Sequence, residues 1–227
     1  MKLNERLRAD REVYASLEGK EKLYFVWDYY KIPIIALVCA LVLLAVSLAT
    51  GAGAKKTAMY AVFVNSAAAV TEPDPEALNS LLREGGVDME GKAIDITANL
   101  TLGQALDESY DGQTTQVLAA MFGISGLDVF AADQAVFDRY ASQDAFMDLS
   151  LLLEPELLEG FTGELYYYEN SEGRTILGGL VLKPGSPLHE AGYYLDDTVI
   201  GIANTAQYAE EARIFLRQLV LACAGGN

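Results

Sequence analysis

The sequence predicts a transmembrane helix near the N-terminus, followed by a single three-layer α/β domain with a mostly parallel sheet. Two observations predict this fold class. Residues 32–54 form a run of 23 residues without a charged side chain. The chain after it alternates short apolar runs of strand length with amphipathic helices. Such alternation is typical of a parallel sheet that is covered by helices on both faces.

The most apolar part of the uncharged run, residues 32–50, has the length of a membrane span. At about 1.5 Å of rise per residue, a helix of this length crosses roughly the hydrocarbon thickness of a bilayer. Trp27, Tyr29 and Tyr30 precede it, in the position of an interfacial aromatic belt. Pro33 lies in the predicted first turn, where its missing N–H costs little. We therefore predict a single membrane-spanning helix.

The distribution of positive charge predicts the orientation of this helix. Residues 1–31 contain seven Lys and Arg, whereas only Lys55 and Lys56 follow closely after the span. Because positive charge is retained on the cytoplasmic side, the N-terminus is predicted to be cytoplasmic and the C-terminal part extracellular. The predicted organisation is a cytoplasmic segment, a cell-membrane helix, a tether and an extracellular domain, at residues 1–31, 32–50, 51–56 and 57–227.

A cleaved signal peptide is the alternative to a retained anchor. Residues 52–54, Ala-Gly-Ala, fit the small-x-small pattern that precedes a cleavage site. The apolar run is nevertheless longer than the usual signal core of about 7–15 residues. Residues 1–31 are also longer and more mixed in charge than the usual segment before such a core. These features favour the anchor.

The exported part of the chain is strongly acidic. Residues 55–227 contain 26 Asp and Glu and 9 Lys and Arg, so the net charge is 9 − 26 = −17. This charge argues against nucleic acid as a partner, because both would carry the same sign. The two cysteines are Cys39, within the apolar run, and Cys223. A disulfide within the exported domain is therefore excluded.

The first half of the domain is predicted to begin with a buried strand at 58–64, AMYAVFV. Residues 71–74 fit a capping box that opens a helix through Arg83, which Gly85 ends. Alternating residues 94–100 predict a second strand, 113–122 a helix and 127–131 a third strand. Asp133 is positioned to cap the helix that carries Phe137 and Tyr140.

The second half is predicted to contain a hairpin and a closing helix. Residues 149–153 and 156–158 form leucine-rich helical turns. Strands at 164–168 and 175–182 flank a turn in which Gly173 supplies the positive φ. A last strand at 198–203 precedes an amphipathic helix at 206–222.

Short motifs in this order resemble one lobe of the extracellular solute-binding proteins of bacterial ABC importers, the type II periplasmic-binding fold. Residues 113–153 contain the family's helix, its Asp-Val-Phe strand at 128–130, and its helix with Phe137 and Tyr140. Asp148-Leu149 and Leu152 follow, and residues 204–219 resemble the family's closing helix. The resemblance implies a solute-binding function. In that family two lobes close on the solute, and 173 residues (55–227) leave room for about one lobe. Residues 27–31, WDYYK, resemble the WxYYK juxtamembrane motif of membrane-anchored proteins of clostridial-type Firmicutes.

The sequence predicts a protein without catalytic chemistry and without a cofactor. His189 is the only histidine and lies in a Pro/Gly-rich loop, so triads and histidine-ligated zinc have little support. Asp107, Ser109, Asp111 and Gly112 copy the start of a calcium loop, but position 12 is Leu118 instead of the bidentate Glu. We interpret this segment as a polar loop rather than a metal site.

A ligand site is predicted at the carboxyl ends of the parallel strands, where open α/β sheets bind ligands. The residues that follow the first three predicted strands are Asn65 and Ser66, Thr101, and Asp133. The tyrosines at 166–168 could add a stacking face, although they also suit an ordinary strand.

Two functions agree with these features of the sequence. The first is a membrane-tethered receptor domain that binds a small ligand or a membrane-protein partner. The second is a structural or interaction protein that docks onto another membrane component without a small-molecule ligand. In both, the bilayer is the partner of residues 32–50.

Overall fold

The computed structural model describes residue 19 and residues 55–103, 108–124 and 126–225. The predicted cytoplasmic segment, the predicted span and residues 51–54 of the predicted tether lie outside the described residues, apart from Gly19. Within the described part of the chain, no helix is both long and apolar enough to cross a bilayer. One compact unit begins at Lys55, and its first strand begins at Lys56.

A six-stranded sheet forms the centre of this unit. Its strands are β1 Lys56–Val64, β2 Lys92–Leu100, β3 Val129–Ala132, β4 Glu164–Glu169, β5 Thr175–Leu182 and β6 Thr198–Ile202. The order across the sheet is β2-β1-β3-β6-β5-β4. The domain is therefore a mixed α/β domain, as predicted, and all six predicted strands are present within a few residues of their expected bounds.

The prediction of a mostly parallel sheet is wrong. β1 pairs in parallel with β2 and β3, but β3 with β6, β6 with β5, and β5 with β4 are antiparallel. Parallel neighbours need a crossover of a dozen or more residues, usually a helix. The hairpin between β4 and β5 leaves no room for one. Residues 183–197 between β5 and β6 contain only the four-residue helix Pro187–Glu190 and return at the same edge.

Helices cover both faces of the sheet. They are α1 Ala68–Thr71, α2 Pro75–Glu84, α3 Glu108–Gly123, α4 Gln134–Ala141, α5 Pro155–Glu159, α6 Pro187–Glu190 and α7 Ala209–Gly225, with a 3-10 turn at Leu149–Leu151. Leu78 of α2 and Phe215 of α7 belong to the core on one face. Leu118 of α3 and Phe137 of α4 belong to the core on the other. The result is three layers.

One of the helix caps predicted from the sequence differs in the structure. Asp133 caps α4 by accepting a hydrogen bond from the Val136 N–H, as predicted. The capping box predicted at Thr71 is wrong, because Asp74 caps α2 and Thr71 ends α1. The Thr71 hydroxyl instead donates to backbone carbonyls, including that of Gly192.

Two glycines make room for a large aromatic ring on the α4 face. A Cβ at Gly179 of β5 would lie 2.9 Å from the Phe137 ring, and one at Gly201 of β6 would lie 3.0 Å from it. Both distances are shorter than ordinary van der Waals contact, so a side chain at either position would displace the ring. Phe137 also stacks on Phe146, with ring centroids 4.1 Å apart.

Asp128, in the Asp-Val-Phe motif, is a structural residue. Its side chain is fully buried, and its carboxylate accepts hydrogen bonds from the Tyr60 N–H at 2.7 Å and the Tyr208 N–H at 2.8 Å. Buried carboxylates need such partners. Asp128 therefore joins β1 to the segment that enters α7.

Candidate functional site

The predicted ligand residues all lie at one edge of the sheet, which we call the strand-end edge. β1, β2 and β3 end there at Val64, Leu100 and Ala132. Because the other half of the sheet is antiparallel, β5 also ends at this edge, and β4 and β6 begin there. The strand-end edge therefore combines two halves with different strand directions.

Asn65 links the ends of the three parallel strands. Its amide nitrogen donates to the Leu102 carbonyl at 2.8 Å and to the Asp133 carboxylate at 2.5 Å. Its amide oxygen accepts from the Leu102 N–H at 2.8 Å. The backbone of Asn65 has a φ of 56°, a left-handed conformation that Asn adopts more readily than most residues. The structure thus brings Asn65 and Asp133 together, with both donors and the acceptor of the amide already in use.

Ser66 and Thr101 are not joined to this pair in the same way. The Ser66 hydroxyl donates to the Ala98 carbonyl of β2 at 2.5 Å and accepts from the Ala68 N–H at 3.3 Å. Thr101 is half-buried, and its neighbour Leu102 makes the bonds to Asn65. Asn65 and Asp133 bond to each other, and Ser66 bonds to β2. We call these three residues the clasp, because their hydrogen bonds hold the strand ends together.

Tyr194 supports the clasp from the core side. Its buried hydroxyl donates to the carbonyls of Val64 at 3.0 Å and Ala131 at 2.8 Å, which belong to β1 and β3. Burial raises the pKa of Tyr194 well above its ordinary value, and the negative charge of Asp133 adds to this effect. Tyr194 is therefore a neutral hydrogen-bond donor at the junction of the two strands.

A groove of about 520 Å³ lies at the antiparallel half of the same edge. We call it the strand-end groove. It is lined by Gln134, Glu164, Leu165, Tyr166, Tyr167, Val181, Lys183, Asp197 and Val199. Its volume lies in the range of about 300–1,000 Å³ that is typical of ligand sites. Gln134 directly follows Asp133, so the groove begins where the clasp ends.

The groove contains charges of both signs. The Lys183 ammonium lies 2.7 Å from the Asp197 carboxylate and 2.9 Å from the Glu164 carboxylate. Hydrogen bonds to Asp197 and then Glu164 raise the pKa of Lys183. All three side chains are exposed, so a charged ligand group could replace either partner at little cost.

The tyrosines give the groove an aromatic wall. Tyr166 donates to the Asp138 carboxylate at 2.5 Å, and burial followed by this bond raises its pKa. Tyr167 is 55% exposed and therefore available for stacking. Tyr168 donates instead to the Phe146 carbonyl at 3.1 Å. Two of the three tyrosines named from the sequence thus line the groove, while the third packs on the core.

Sequence reasoning missed Glu164, Lys183 and Asp197. The rule for parallel sheets considers only residues that follow strands, whereas Glu164 opens β4 and Asp197 precedes β6. The signal that could have found them was the predicted hairpin. A hairpin reverses one strand, so the residue that opens one strand lies beside the residue that ends its partner.

His189 stabilises the loop between β5 and β6, in which it lies. Its Nε2 lies 2.8 Å from the carbonyl oxygen of Asp196, which can only accept, so Nε2 carries the proton. In the neutral imidazole, Nδ1 accepts from the Ser186 hydroxyl, which lies 2.7 Å away. Ser186 is buried and both nitrogens are occupied, so the pair holds the loop between β5 and β6.

The described part of the calcium-loop-like segment has a structural role. The Asp111 carboxylate accepts hydrogen bonds from the Gly103 N–H at 3.1 Å. Asp107 lies outside the described residues. Among the residues that the structure describes, His, Cys, Asp and Glu form no group of three that could hold a metal ion.

A comparison of the chain with protein-family models, with curated proteins and with solved structures finds no match. The resemblance to a solute-binding lobe stays a prediction. The clasp and the strand-end groove are therefore the features from which we infer a function.

Proposed function

We propose that this chain is a single-pass membrane protein whose extracellular α/β domain binds a small polar ligand at the strand-end groove without catalysis. The observation that supports this proposal is the groove itself, where exposed Tyr167 and Lys183 face a volume of about 520 Å³ at the strand-end edge. The motifs that resemble a solute-binding lobe point to the same class of function.

The chemistry of the groove defines the ligand class. Lys183 can bind a carboxylate, Asp197 and Glu164 can bind an ammonium or hydroxyl groups, and Tyr167 offers a face to stack on. Amino acids, sugars and short peptides combine these groups. A single lobe encloses less of a ligand than two lobes do, so we expect micromolar or weaker affinity.

The ligand proposal is tested by a thermal-shift screen of the full chain in lipid nanodiscs. A ligand at a hundredfold excess over Kd stabilises the domain by roughly 2.7 kcal/mol, so amino acids, sugars and short peptides should give at least one saturable shift. Tyr167→Ala and Lys183→Met should reduce that shift, and Arg174→Gln, a charge change in the β4–β5 turn, should leave it unchanged. A flat screen, or a shift that both groove variants keep, would contradict this site.

The membrane topology is tested separately. Protease added to intact cells without their wall should digest an epitope attached after Asn227 and spare one attached before Met1. The uncharged run of 23 residues and the excess of Lys and Arg before it motivate this expectation. A protected C-terminal epitope would refute the orientation. Release of the domain into the medium would indicate cleavage after Ala54.

Docking onto a membrane component is a second candidate, which one observation favours. Val70, in α1, and Leu195, in the loop between β5 and β6, are 79% and 62% exposed at the strand-end edge. The two segments are held together by the Ala67 N–H, which donates to the Tyr193 carbonyl at 2.8 Å. A photo-crosslinker at position 70 should then yield a specific adduct in native membranes that one at position 174 does not. Identical patterns from both positions would argue against docking.

A further inference from the structure

A second cavity lies between the ends of two helices, at the edge of the sheet opposite the clasp. α3 and α4 both run away from the strand-end edge, and their C-terminal turns meet the residues that follow β6. The cavity has a volume of about 420 Å³. We call it the α3–α4 cavity, and it is lined by Thr115, Ala119, Phe122, Gly123, Arg139, Tyr140, Gln143, Ala145 and Asn204.

Phe122 and Tyr140 form the aromatic part of the cavity wall. The Phe122 ring stacks on Tyr140, with centroids 5.0 Å apart and planes at 22°. Tyr140 is only 5% exposed and its hydroxyl is buried away from the cavity, whereas Phe122 is half-buried. Phe122 is therefore the aromatic surface that a ligand can reach.

Arg139 provides the charge of the cavity. Among the described residues that line the cavity it is the only charged one, in a domain whose net charge is 9 − 26 = −17. Within the described part of the chain it forms no ion pair. The carboxylates nearest in sequence are engaged elsewhere, since Asp138 accepts from Tyr166 and Asp144 accepts from the Ser171 N–H. The cavity therefore offers a cation without a matching anion.

Arg139 lies close to this aromatic wall. Burial raises the pKa of Tyr140, and the positive charge of Arg139 acts in the opposite direction because it is close to the phenol. Ala119, Gly123 and Ala145 also line the cavity and have no bulky side chains. The cavity thus combines one cationic side chain, an aromatic surface and room for an apolar group.

We infer that the α3–α4 cavity binds a small carboxylic acid with a planar, apolar body. The ligand carboxylate pairs with the Arg139 guanidinium, which presents a fork of donors that matches a carboxylate. The apolar body packs on Phe122. This site is independent of the strand-end groove.

Equilibrium binding of phenylacetate to the full chain in nanodiscs tests the inference, with empty nanodiscs subtracted. Phenylacetate should bind saturably, and phenylacetamide, which has the same shape without the charge, should bind at least tenfold more weakly. Arg139→Gln should weaken phenylacetate binding at least tenfold. Ala119→Phe should abolish it by filling the cavity, and Arg174→Gln should leave the Kd unchanged. Circular dichroism checks that each variant is folded.

The inference is overturned if phenylacetate does not bind at concentrations on the order of 10 mM, where a ligand of this size should saturate a fitted site. Equal affinities for acid and amide, or binding that survives both Arg139→Gln and Ala119→Phe, would also overturn it. Ligands found for the strand-end groove should not displace phenylacetate. A thermal-shift screen without any saturable shift, together with saturable phenylacetate binding, would refute the ligand site proposed at the strand-end groove. The inference about the α3–α4 cavity would then still hold.

Discussion

The two halves of the strand-end edge use their polar side chains in different ways. In the parallel half, Asn65 bonds to Asp133 and to the backbone that follows β2, and Asp133 also accepts from the Val136 N–H. In the antiparallel half, Lys183 and Asp197 are exposed, and the ion pairs of Lys183 are with Asp197 and Glu164. The first set holds strands together, whereas the second set can exchange partners. Position at a strand end therefore predicts where polar groups lie, and hydrogen bonding decides which of them are free.

The largest expected effect of a substitution is at Asn65. Asn65→Ala removes three hydrogen bonds and places Ala at a φ of 56°, so we expect the free energy of unfolding to fall by about 2–4 kcal/mol. Thermal unfolding of the full chain in nanodiscs, followed by near-ultraviolet circular dichroism, measures this loss. Arg174→Gln serves as the control. A loss below about 1 kcal/mol would show that the clasp is not structural.

A smaller change in the free energy of unfolding is expected at two buried tyrosines, and it should differ between them. Tyr194→Phe removes a hydroxyl that donates to two carbonyls, and we expect it to cost about 1–2 kcal/mol. Tyr140→Phe removes a hydroxyl without a partner among the described residues, so it should be neutral or stabilise by up to about 1 kcal/mol. The same unfolding measurement compares the pair. Equal losses would contradict the difference in hydrogen bonding.

Alkaline pH should weaken the parallel half through Tyr193. Burial, and then the charge of Asp74, raise the pKa of Tyr193 from its ordinary value near 10 to about 12. Its contribution to stability is complete below about pH 10, where the Tyr193 phenol is protonated in the unfolded chain as well, and is lost as the pH rises toward 12. Tyr193→Phe should lessen the fall in melting temperature over this interval. An unchanged pH profile would refute the raised pKa.

The smallest effect is expected in the antiparallel half. The ion pairs of Lys183 are exposed and contribute little to folding. Lys183→Met should therefore leave the melting temperature of the ligand-free chain unchanged within error, while it reduces ligand-induced shifts. A large loss of stability would show that Lys183 has a structural role, like the residues of the clasp, rather than a role in ligand binding.

The elements of the domain could be predicted from the sequence because each has a local signal. The run at 58–64 and the turn at Gly173 identify β1 and the β4–β5 hairpin, and Asp133 indicates the start of α4. The direction of β6 had no such signal. It depends on how the loop from 183 to 197 folds, and there the contact between His189 and the Asp196 carbonyl joins parts that no short pattern connects.

The candidate site could be predicted only in part. Asn65, Ser66, Thr101 and Asp133 do lie at the strand ends that the sequence indicated. Their bonding could not be predicted, because the partners of Asn65 are 37 and 68 residues away along the chain. Lys183 directly follows β5, which ends at this edge, but the prediction considered only the residues after the first three strands.

The most direct test of the difference between the two halves is hydrogen–deuterium exchange of the full chain in nanodiscs, with and without the strongest ligand of the screen. Ligand should slow amide exchange at residues 164–168 and 181–184, which border the groove. Exchange at residues 61–66 should already be slow without ligand and should not change. Ligand-induced protection confined to residues 65–71 and 101–103, with none at the groove, would contradict the proposed difference between the two halves. It would show that the ligand binds at the ends of the parallel strands instead.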